Sequence, residues 1–256
     1  DVEVLAAPFA FADGNASHVI LHDITERKRM ERVQIRRSRR TQTLLDLFEM
    51  SDRPTSEIVA SAIDALVGLT ESRIGFLGFV DESESTMFTH LYSKQAMQEC
   101  AIDDRPVQFD LSGGGLWTAA VKLHEPVIIN DYSDAHPFKK GFPEGHVRLT
   151  RYLGVPLVRD GRTLLLAGLA NKEDEYREED LVEATLFLEG LWGILGRKRA
   201  EEELLRSRQG LEAVMDSMDA LAYVADMQTH ELLFLNKYGH EINPGFAPGS
   251  RCYDLF

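Results

Sequence analysis

Residues 152–170 read YLGVPLVRDGRTLLLAGLA, two apolar segments separated by Arg-Asp-Gly-Arg. An Asp-Gly pair between strand-forming segments is a strong signal of a β-hairpin. We therefore predict paired strands over residues 152–158 and 163–170. Earlier segments with the same strand character are residues 73–80, 86–92 and 107–111. Together the five segments predict an antiparallel sheet.

Segments with helical periodicity lie on both sides of the predicted strands. In residues 55–69 apolar side chains recur at the three- and four-residue spacing of one helix face. The same spacing continues to Leu195 after the acidic residues 178–180, which favour a helix start. A helix, then antiparallel strands, then a helix predict an α+β domain.

Two longer helical segments flank this domain. Residues 26–50 carry a heptad-like seam whose middle positions are Arg37 and Arg40, bounded by Met30, Val33, Leu44 and Leu47. This seam favours a helical dimer, whereas a solvated basic helix is the alternative, because the arginines would repel their counterparts. The second segment continues past residue 195, where Leu204, Leu211 and Met218 form a seven-residue repeat. A helix that continues from about residue 178 to Met218 is much longer than the average helix of a globular protein, so it needs a partner along its length.

Composition excludes several classes of protein. The 44% hydrophobic and 27% charged residues are typical of a globular chain, and the net charge of −14 disfavours nucleic acid and anionic lipid as partners. Apolar runs are too short to cross a bilayer, so we expect no direct membrane contact in this segment. The two cysteines, Cys100 and Cys252, are far apart, which fits a reducing cytoplasm.

Residues 112–115, Ser-Gly-Gly-Gly, precede a helical segment that begins at Leu116. Backbone N–H groups in such a turn can bind phosphate. Neither the GxxxxGK[ST] lysine nor a GxGxxG spacing is present, so we interpret the glycines as a loop-to-helix turn. Residues 132–148 have the composition of a long loop, which often carries ligand contacts.

Several of these segments resemble known families. HDITERKRME at 22–31 resembles the junction where a PAS domain ends and its exit helix begins. Segments between residues 113 and 181 are similar to a GAF domain: GGGLW at 113–117, PVIINDY at 126–132, YLGVPL at 152–157, and GLANK at 168–172 before YREEDL at 176–181. Segments that resemble the opening of a second PAS domain are MDSM at 215–218, YVAD at 223–226, FLN at 234–236 and GSRCYDLF at 249–256.

The resemblance implies a domain order and a fold. The expected parts are the last strands of a PAS domain (1–25), a signalling helix (26–50), a GAF domain (51–195), a second signalling helix (196–218) and the truncated start of another PAS domain (219–256). The implied GAF fold is an antiparallel sheet with helices on one face and a small-molecule pocket on the other.

The resemblance also implies a function. We expect a non-catalytic sensory module of a bacterial signal-transduction protein, which binds an unidentified small molecule and relays its state through helices of a homodimer. The expected parents are sensor histidine kinases of two-component systems or diguanylate cyclases, with the output enzyme outside this segment. The alternative is a structural dimerisation and relay module without a ligand. No nucleophile with a base, metal cluster or paired acids indicates an enzyme.

The residues give little support to four more specific functions: bilin attachment, reductase activity, cyclic-nucleotide binding and haem binding. GAF domains that bind bilin attach it to a cysteine of the helix beside the pocket, and the corresponding helical segment here, which begins at Leu116, has no cysteine. Reductase chemistry of the GAF type needs several cysteines for thiol exchange, and the domain has only Cys100. Asn171, Lys172, Tyr176 and Asp180 match the cyclic-nucleotide pattern NK...F...DE only in part, because Tyr replaces Phe and a leucine replaces Glu. Possible haem ligands, each better interpreted as a loop or surface residue, are His90, His124, His136 and His146. We expect neither bilin nor haem, and the cofactor stays unknown.

The candidate ligand-binding residues come from the pocket helix, the long loop and the adjacent strand ends. They are Trp117, Asp131, Tyr132, His136, Arg148, Arg151 and Tyr152. For each, packing or surface exposure is the competing interpretation. Asp131 ranks first because an acid at a strand end can orient a ligand, although an Asx turn would explain it equally well.

Overall fold

A computed structural model describes residues 1–11, 14–99, 108–140, 145–245 and 250–254. Contacts divide the chain into two compact units, Asp1–Leu195 and Gly196–Phe256. Among the described helices, none offers the uninterrupted apolar length that a membrane span requires.

The first unit contains most of the regular structure. Its strands are β1 (Val2–Phe11), β2 (Gly14–Asp23), β3 (Ile74–Val80), β4 (Thr86–Tyr92), β5 (Gln108–Asp110), β6 (Val127–Ile129), β7 (Tyr152–Arg159) and β8 (Arg162–Ala170). Its helices are α1 (Thr25–Glu49), α2 (Thr55–Leu69), α3 (Lys94–Glu99), α4 (Leu116–Leu123) and the beginning of α5 (Glu178–Asp216).

Six strands form one antiparallel sheet in the order β5-β4-β3-β8-β7-β6. The predicted hairpin is confirmed at its centre, where β7 and β8 pair from Tyr152 with Ala170 to Arg159 with Arg162. Asp160 and Gly161 form the turn, with φ of 52° and 72°. Positive φ at both central residues is the type I′ geometry that matches the twist of the strands, which explains the Asp-Gly pair. The α+β class is confirmed by this sheet and its helices.

Strand alternation divides the core into two layers. Leu153, Leu165 and Leu169 face a layer formed with α2 and α5, whereas Tyr152 and Leu166 face the opposite layer, formed with α4. The expectation of helices on one face is therefore wrong for α4, which covers the other face. Each face of β7 and β8 is apolar, so each needs a cover.

The C-terminal half of α1 packs against its own domain. Arg40 Nη1 lies 2.8 Å from Glu183 Oε2 of α5, and Leu47 is 2% exposed. Arg40 of the predicted seam therefore contacts α5 of the same chain, and Leu47 belongs to the core formed with α2 and α5, while the dimer itself stays a prediction. Met30 and Val33, the first seam residues, are 62% and 58% exposed.

Other elements differ from the expectation or extend it. Residues 94–99 form the short helix α3, and Ser93 Oγ accepts a hydrogen bond from Ala96 N at the helix start. Within the described ranges the first two strands form a two-stranded sheet with each other, and the second unit adds β9 (Tyr223–Ala225), β10 (Leu232–Leu235) and α6 (Lys237–Ile242). Asn236 caps α6 by accepting from Gly239 N at 3.1 Å.

Gly168 tests the packing at the middle of β8. A Cβ added there would lie 2.1 Å from Cε1 of Phe76, the residue opposite Gly168 on β3. We expect Gly168→Ala to lower the free energy of unfolding by about 1–3 kcal/mol, because an overpacked core must shift. Urea denaturation followed by circular dichroism measures this change.

The control is Gly193→Ala on the exposed side of α5, where an added Cβ meets no atom within 4 Å. That substitution should raise stability slightly, since Ala favours helix over Gly by about 1 kcal/mol. Equal stability of the two variants would contradict the close approach of Phe76 to Gly168.

Candidate functional site

A cavity of about 700 Å³ lies beside the sheet face that α4 covers. Its lining residues come from the two ends and the middle of the long loop between β6 and β7: Asp131, Tyr132, Ser133, Lys139, Lys140, Arg148, Leu149 and Thr150. Its volume falls in the range of about 300–1,000 Å³ that small-molecule sites occupy. Three of the candidate residues, Asp131, Tyr132 and Arg148, are thus brought together at this cavity.

Asp131 forms a local turn at the cavity. Its Oδ1 accepts from Ser133 N at 2.8 Å and from Ser133 Oγ at 2.6 Å, which is the Asx turn that competed with ligand binding. The Ser133 hydrogen bonds, with smaller contributions from Lys139 and Arg151, hold the pKa of this exposed carboxyl below its usual value. Asp131 therefore stays ionised, and part of its accepting capacity is already used.

Two lysines of the loop fold back onto backbone carbonyls. Lys139 Nζ donates to the Tyr132 carbonyl and, at 3.0 Å, to the Asp134 carbonyl, and it lies 4.4 Å from the centre of the Tyr132 ring. Lys140 Nζ donates to the carbonyl of Gly113, in the glycine turn before α4. Lys139 thereby closes the loop on itself, Lys140 connects the loop to the turn before α4, and both cations border the cavity.

The far rim of the cavity is fixed by the residue that follows β8. Asn171 Nδ2 donates to the Arg148 carbonyl at 2.9 Å, and Asn171 Oδ1 accepts from Thr150 N at 2.8 Å. Asn171 has a φ of 59°, a left-handed conformation that Asn tolerates better than most residues. One side chain thus determines the path of the rim from Arg148 to Thr150.

Trp117 and Tyr152 lie in the apolar layer that adjoins the cavity. Tyr132 and Leu149 belong both to this layer and to the cavity lining. Trp117 Nε1 and the Tyr152 hydroxyl are buried and have no hydrogen-bond partner within the described ranges. Burial raises the pKa of the Tyr152 phenol strongly, so the group stays protonated.

The remaining two candidates point elsewhere. Arg151 Nη1 donates to the Lys172 carbonyl at 3.2 Å, while Arg151 Nε is buried without a partner among the described residues. His136 Nδ1 accepts from Phe138 N at 3.3 Å inside the loop. Neither residue is part of the cavity lining, although Arg151 directly follows Thr150, which is.

The residues that partly match the cyclic-nucleotide pattern connect the elements around the site. Lys172 Nζ lies 2.7 Å from Asp180 Oδ1, with both side chains buried, and Asp180 also receives Arg36 of α1 at 3.4 Å. The Tyr176 hydroxyl and Ser72 Oγ are 2.8 Å apart. These residues therefore connect the end of β8 to α5 and α1, in addition to the contacts of Asn171 with the rim.

Sequence reasoning missed the role of two residues in the lining. Lys139 and Lys140 were interpreted only as part of a polar loop, and the one available signal was two adjacent cations between prolines. His124 contacts Glu84 Oε1 at 2.9 Å outside the cavity lining, whereas Cys100 and the side chain of His90 lie outside the described residues. Within the described ranges no group of His, Cys, Asp or Glu residues could hold a metal ion.

Comparison with protein families and curated proteins places this geometry among known domains. The family model described as GAF domain matches residues 52–195, more than half of the chain. The methyl sulfide methyltransferase-associated sensor of Methanosarcina acetivorans is 34% identical over 236 residues, which cover 92% of this chain. The matched chain spans 24% of the length of that relative.

Solved structures that resemble this chain are more distant in sequence. A methyl-accepting chemotaxis protein (residues 122 to 287) is 14% identical, with a TM-score of 0.50 over 60% of this chain and 97% of the other. A free methionine-R-sulfoxide reductase from Neisseria meningitidis is also 14% identical, with a TM-score of 0.48 over 63% of this chain and 91% of the other.

Two buried tyrosines provide a matched test of the unpartnered hydroxyl. Tyr152→Phe removes a buried O–H without a partner, so we expect the free energy of unfolding to rise by about 1 kcal/mol or to stay unchanged. Tyr176→Phe removes the hydroxyl that contacts Ser72, so we expect a decrease of about 1 kcal/mol.

Urea denaturation of the two variants beside the parent chain gives both values. A decrease for Tyr152→Phe as large as that for Tyr176→Phe would mean that the Tyr152 hydroxyl has a partner in the unliganded protein.

Proposed function

The chain belongs to the GAF domain family, and we propose that this domain is a non-catalytic sensory module that binds a small molecule and relays the bound state through its flanking helices. The observation that carries the proposal is the pair of unpartnered buried donors, Trp117 Nε1 and the Tyr152 hydroxyl, in the layer beside the cavity. An unsatisfied buried polar group costs about 1–3 kcal/mol, and a ligand that accepts from it removes that cost.

The cavity itself supports ligand binding. Its walls combine an apolar side, where Tyr132 and Leu149 continue the core layer, with a polar side that carries Asp131, Lys139 and Arg148. Small-molecule sites have this composition, with a few polar groups that orient the ligand on an apolar wall. The relative named as a sensor agrees with a sensory role.

The contacts behind the cavity support a relay. Asn171 fixes the rim, the adjacent Lys172 pairs with Asp180, and Asp180 receives Arg36 from α1. A ligand that binds one arrangement of the rim better than another shifts the equilibrium between them. Because Asp180 lies in the first turn of α5, that shift reaches both flanking helices.

The flanking segments extend the proposal. We infer that residues 1–25 and 219–256 are parts of PAS domains, as their motifs resemble, and that an output domain of the kinase or cyclase type completes the parent protein. The module then connects one sensory domain to the next, and its helices carry the signal along the chain.

A thermal-shift experiment with a metabolite panel tests ligand binding. At a ligand concentration of about 100 times Kd, the stabilisation is about 2.7 kcal/mol, which corresponds to a rise in Tm of about 5–10 °C for a domain of this size. We expect Trp117→Phe and Tyr152→Phe to reduce the rise, since each removes a donor, and Tyr176→Phe to retain it. The absence of stabilisation by any compound would overturn the sensory proposal.

A structural dimerisation module without a ligand is the second candidate. It is favoured by the exposure of the seven-residue repeat, in which Leu204 and Leu211 are 72% and 65% exposed in the single chain. Such a stripe is typical of a helix that pairs with a second copy.

Sedimentation equilibrium at tens of micromolar tests this pairing. We expect a dimer for the parent chain and a monomer for Leu204→Lys/Leu211→Lys, because charge in a helical seam is desolvated. Leu205→Lys, also exposed (54%) but outside the repeat, should remain dimeric. A parent chain that sediments as a monomer would contradict helical pairing.

A further inference from the structure

The charges around the cavity have one predominant sign. Among the residues that the structure describes, Lys139, Lys140 and Arg148 line it together with a single carboxylate, Asp131. The chain as a whole carries a net charge of −14, so this local excess of cations runs against its average. Clusters of one sign in a concave site attract ligands of the opposite sign.

The single carboxylate does not balance these cations. Asp131 Oδ1 is occupied by Ser133, and Lys139 and Arg151 lie close enough to stabilise its charge. The lysine ammoniums each have three donors, of which Lys140 uses one on the Gly113 carbonyl. Arg148, exposed at the rim, has a planar guanidinium whose fork matches a carboxylate.

The buried polar atoms beside the cavity are donors as well. Trp117 Nε1 is buried without a partner in the described part of the chain, and it can only donate. The Tyr152 hydroxyl can donate or accept. A ligand that satisfies this set must be rich in acceptor atoms.

The rest of the wall is apolar. Tyr132 and Leu149 connect the cavity to the layer that contains Trp117, Tyr152 and Phe138. A bare inorganic anion would leave this surface uncovered, whereas a planar or apolar body would bury it. The two halves of the wall therefore select a molecule with an anionic end and an apolar end.

We infer that the ligand of this cavity is a small organic carboxylate with an aromatic or apolar body, held by Arg148 and the two lysines at its acid end. This inference rests on the proposed sensory function and specifies the chemistry of its ligand. A carboxylate accepts bidentately from Arg148, while its body contacts Tyr132 and Leu149. A neutral molecule of the same shape would leave the cations without a partner.

The experiment compares acids with their neutral amides on the full chain. The probes are benzoate, phenylacetate and indole-3-acetate, each beside its amide, and inorganic phosphate alone. We expect at least one acid to raise Tm and to bind about 10-fold or more tightly than its amide, because the charge-assisted hydrogen bonds are lost in the amide. We also expect the affinity to fall as salt rises, since the rim is exposed to solvent.

Two substitutions in the cavity lining test the role of its positive charges, and a third substitution outside the cavity is the control. Arg148→Leu should reduce acid affinity about 10-fold or more, and Lys140→Met should weaken it in the same direction. Arg159→Leu removes an equal charge at the exposed turn between β7 and β8 and should leave the affinity unchanged. Circular dichroism of each variant establishes that it is folded.

The outcomes separate this inference from the proposed function. Equal binding of acids and amides, or equal losses for Arg148→Leu and Arg159→Leu, would overturn the anionic ligand and leave a small-molecule site. Protection by inorganic phosphate as strong as that by the acids would overturn the apolar body. No protection by any probe, together with none in the metabolite panel, would overturn both proposals.

Discussion

The fold depends on the burial of β7 and β8 on both of their faces. These strands lie in the middle of the sheet, and their side chains alternate between two apolar layers. A half-buried sheet needs one cover, but a sheet with two apolar faces needs two. The helices α2 and α5 therefore close one face, and α4 with the loop after β6 closes the other. Every other element of the domain is positioned by this requirement.

The core layers on the two faces of the sheet differ in how well their side chains are buried and hydrogen-bonded. This difference indicates which face is expected to bind a ligand. On the α2 and α5 face the largest side chains, including Phe187 and Leu165, are fully buried, and the Tyr176 hydroxyl of that layer contacts Ser72. On the α4 face the core layer includes Trp117 and Tyr152, whose polar atoms lack partners among the described residues. Natural domains break the rules of packing and hydrogen bonding mostly at functional sites. The less complete face is accordingly where ligand chemistry is expected.

Local patterns predicted what local forces determine. The β7–β8 hairpin followed from an Asp-Gly turn, and α2 followed from the period of its apolar residues, because both signals lie within a few residues of the structure they specify. The side-chain contacts of the site did not follow. Arg40 pairs with Glu183 across 143 residues of chain, and Lys140 reaches Gly113 across 27. The period of apolar residues does not specify which distant surface a side chain contacts. The contacts made by the seam residues of α1 and by the lysines of the cavity could therefore be seen only in the structure.

The short segment from Asn171 to Asp180 connects the two faces. Asn171 holds the cavity rim on one face, and Asp180, buried with Lys172, begins the helix that covers the other. A buried charge that loses its partner costs about 3–5 kcal/mol, so separation of the buried pair Lys172 and Asp180, which Arg36 also contacts, is unfavourable. If the rim moves, either Asn171 alone changes its conformation or the contacts among Lys172, Asp180 and Arg36 change together. Such a group favours discrete arrangements over gradual ones, which is the property that a two-state relay requires.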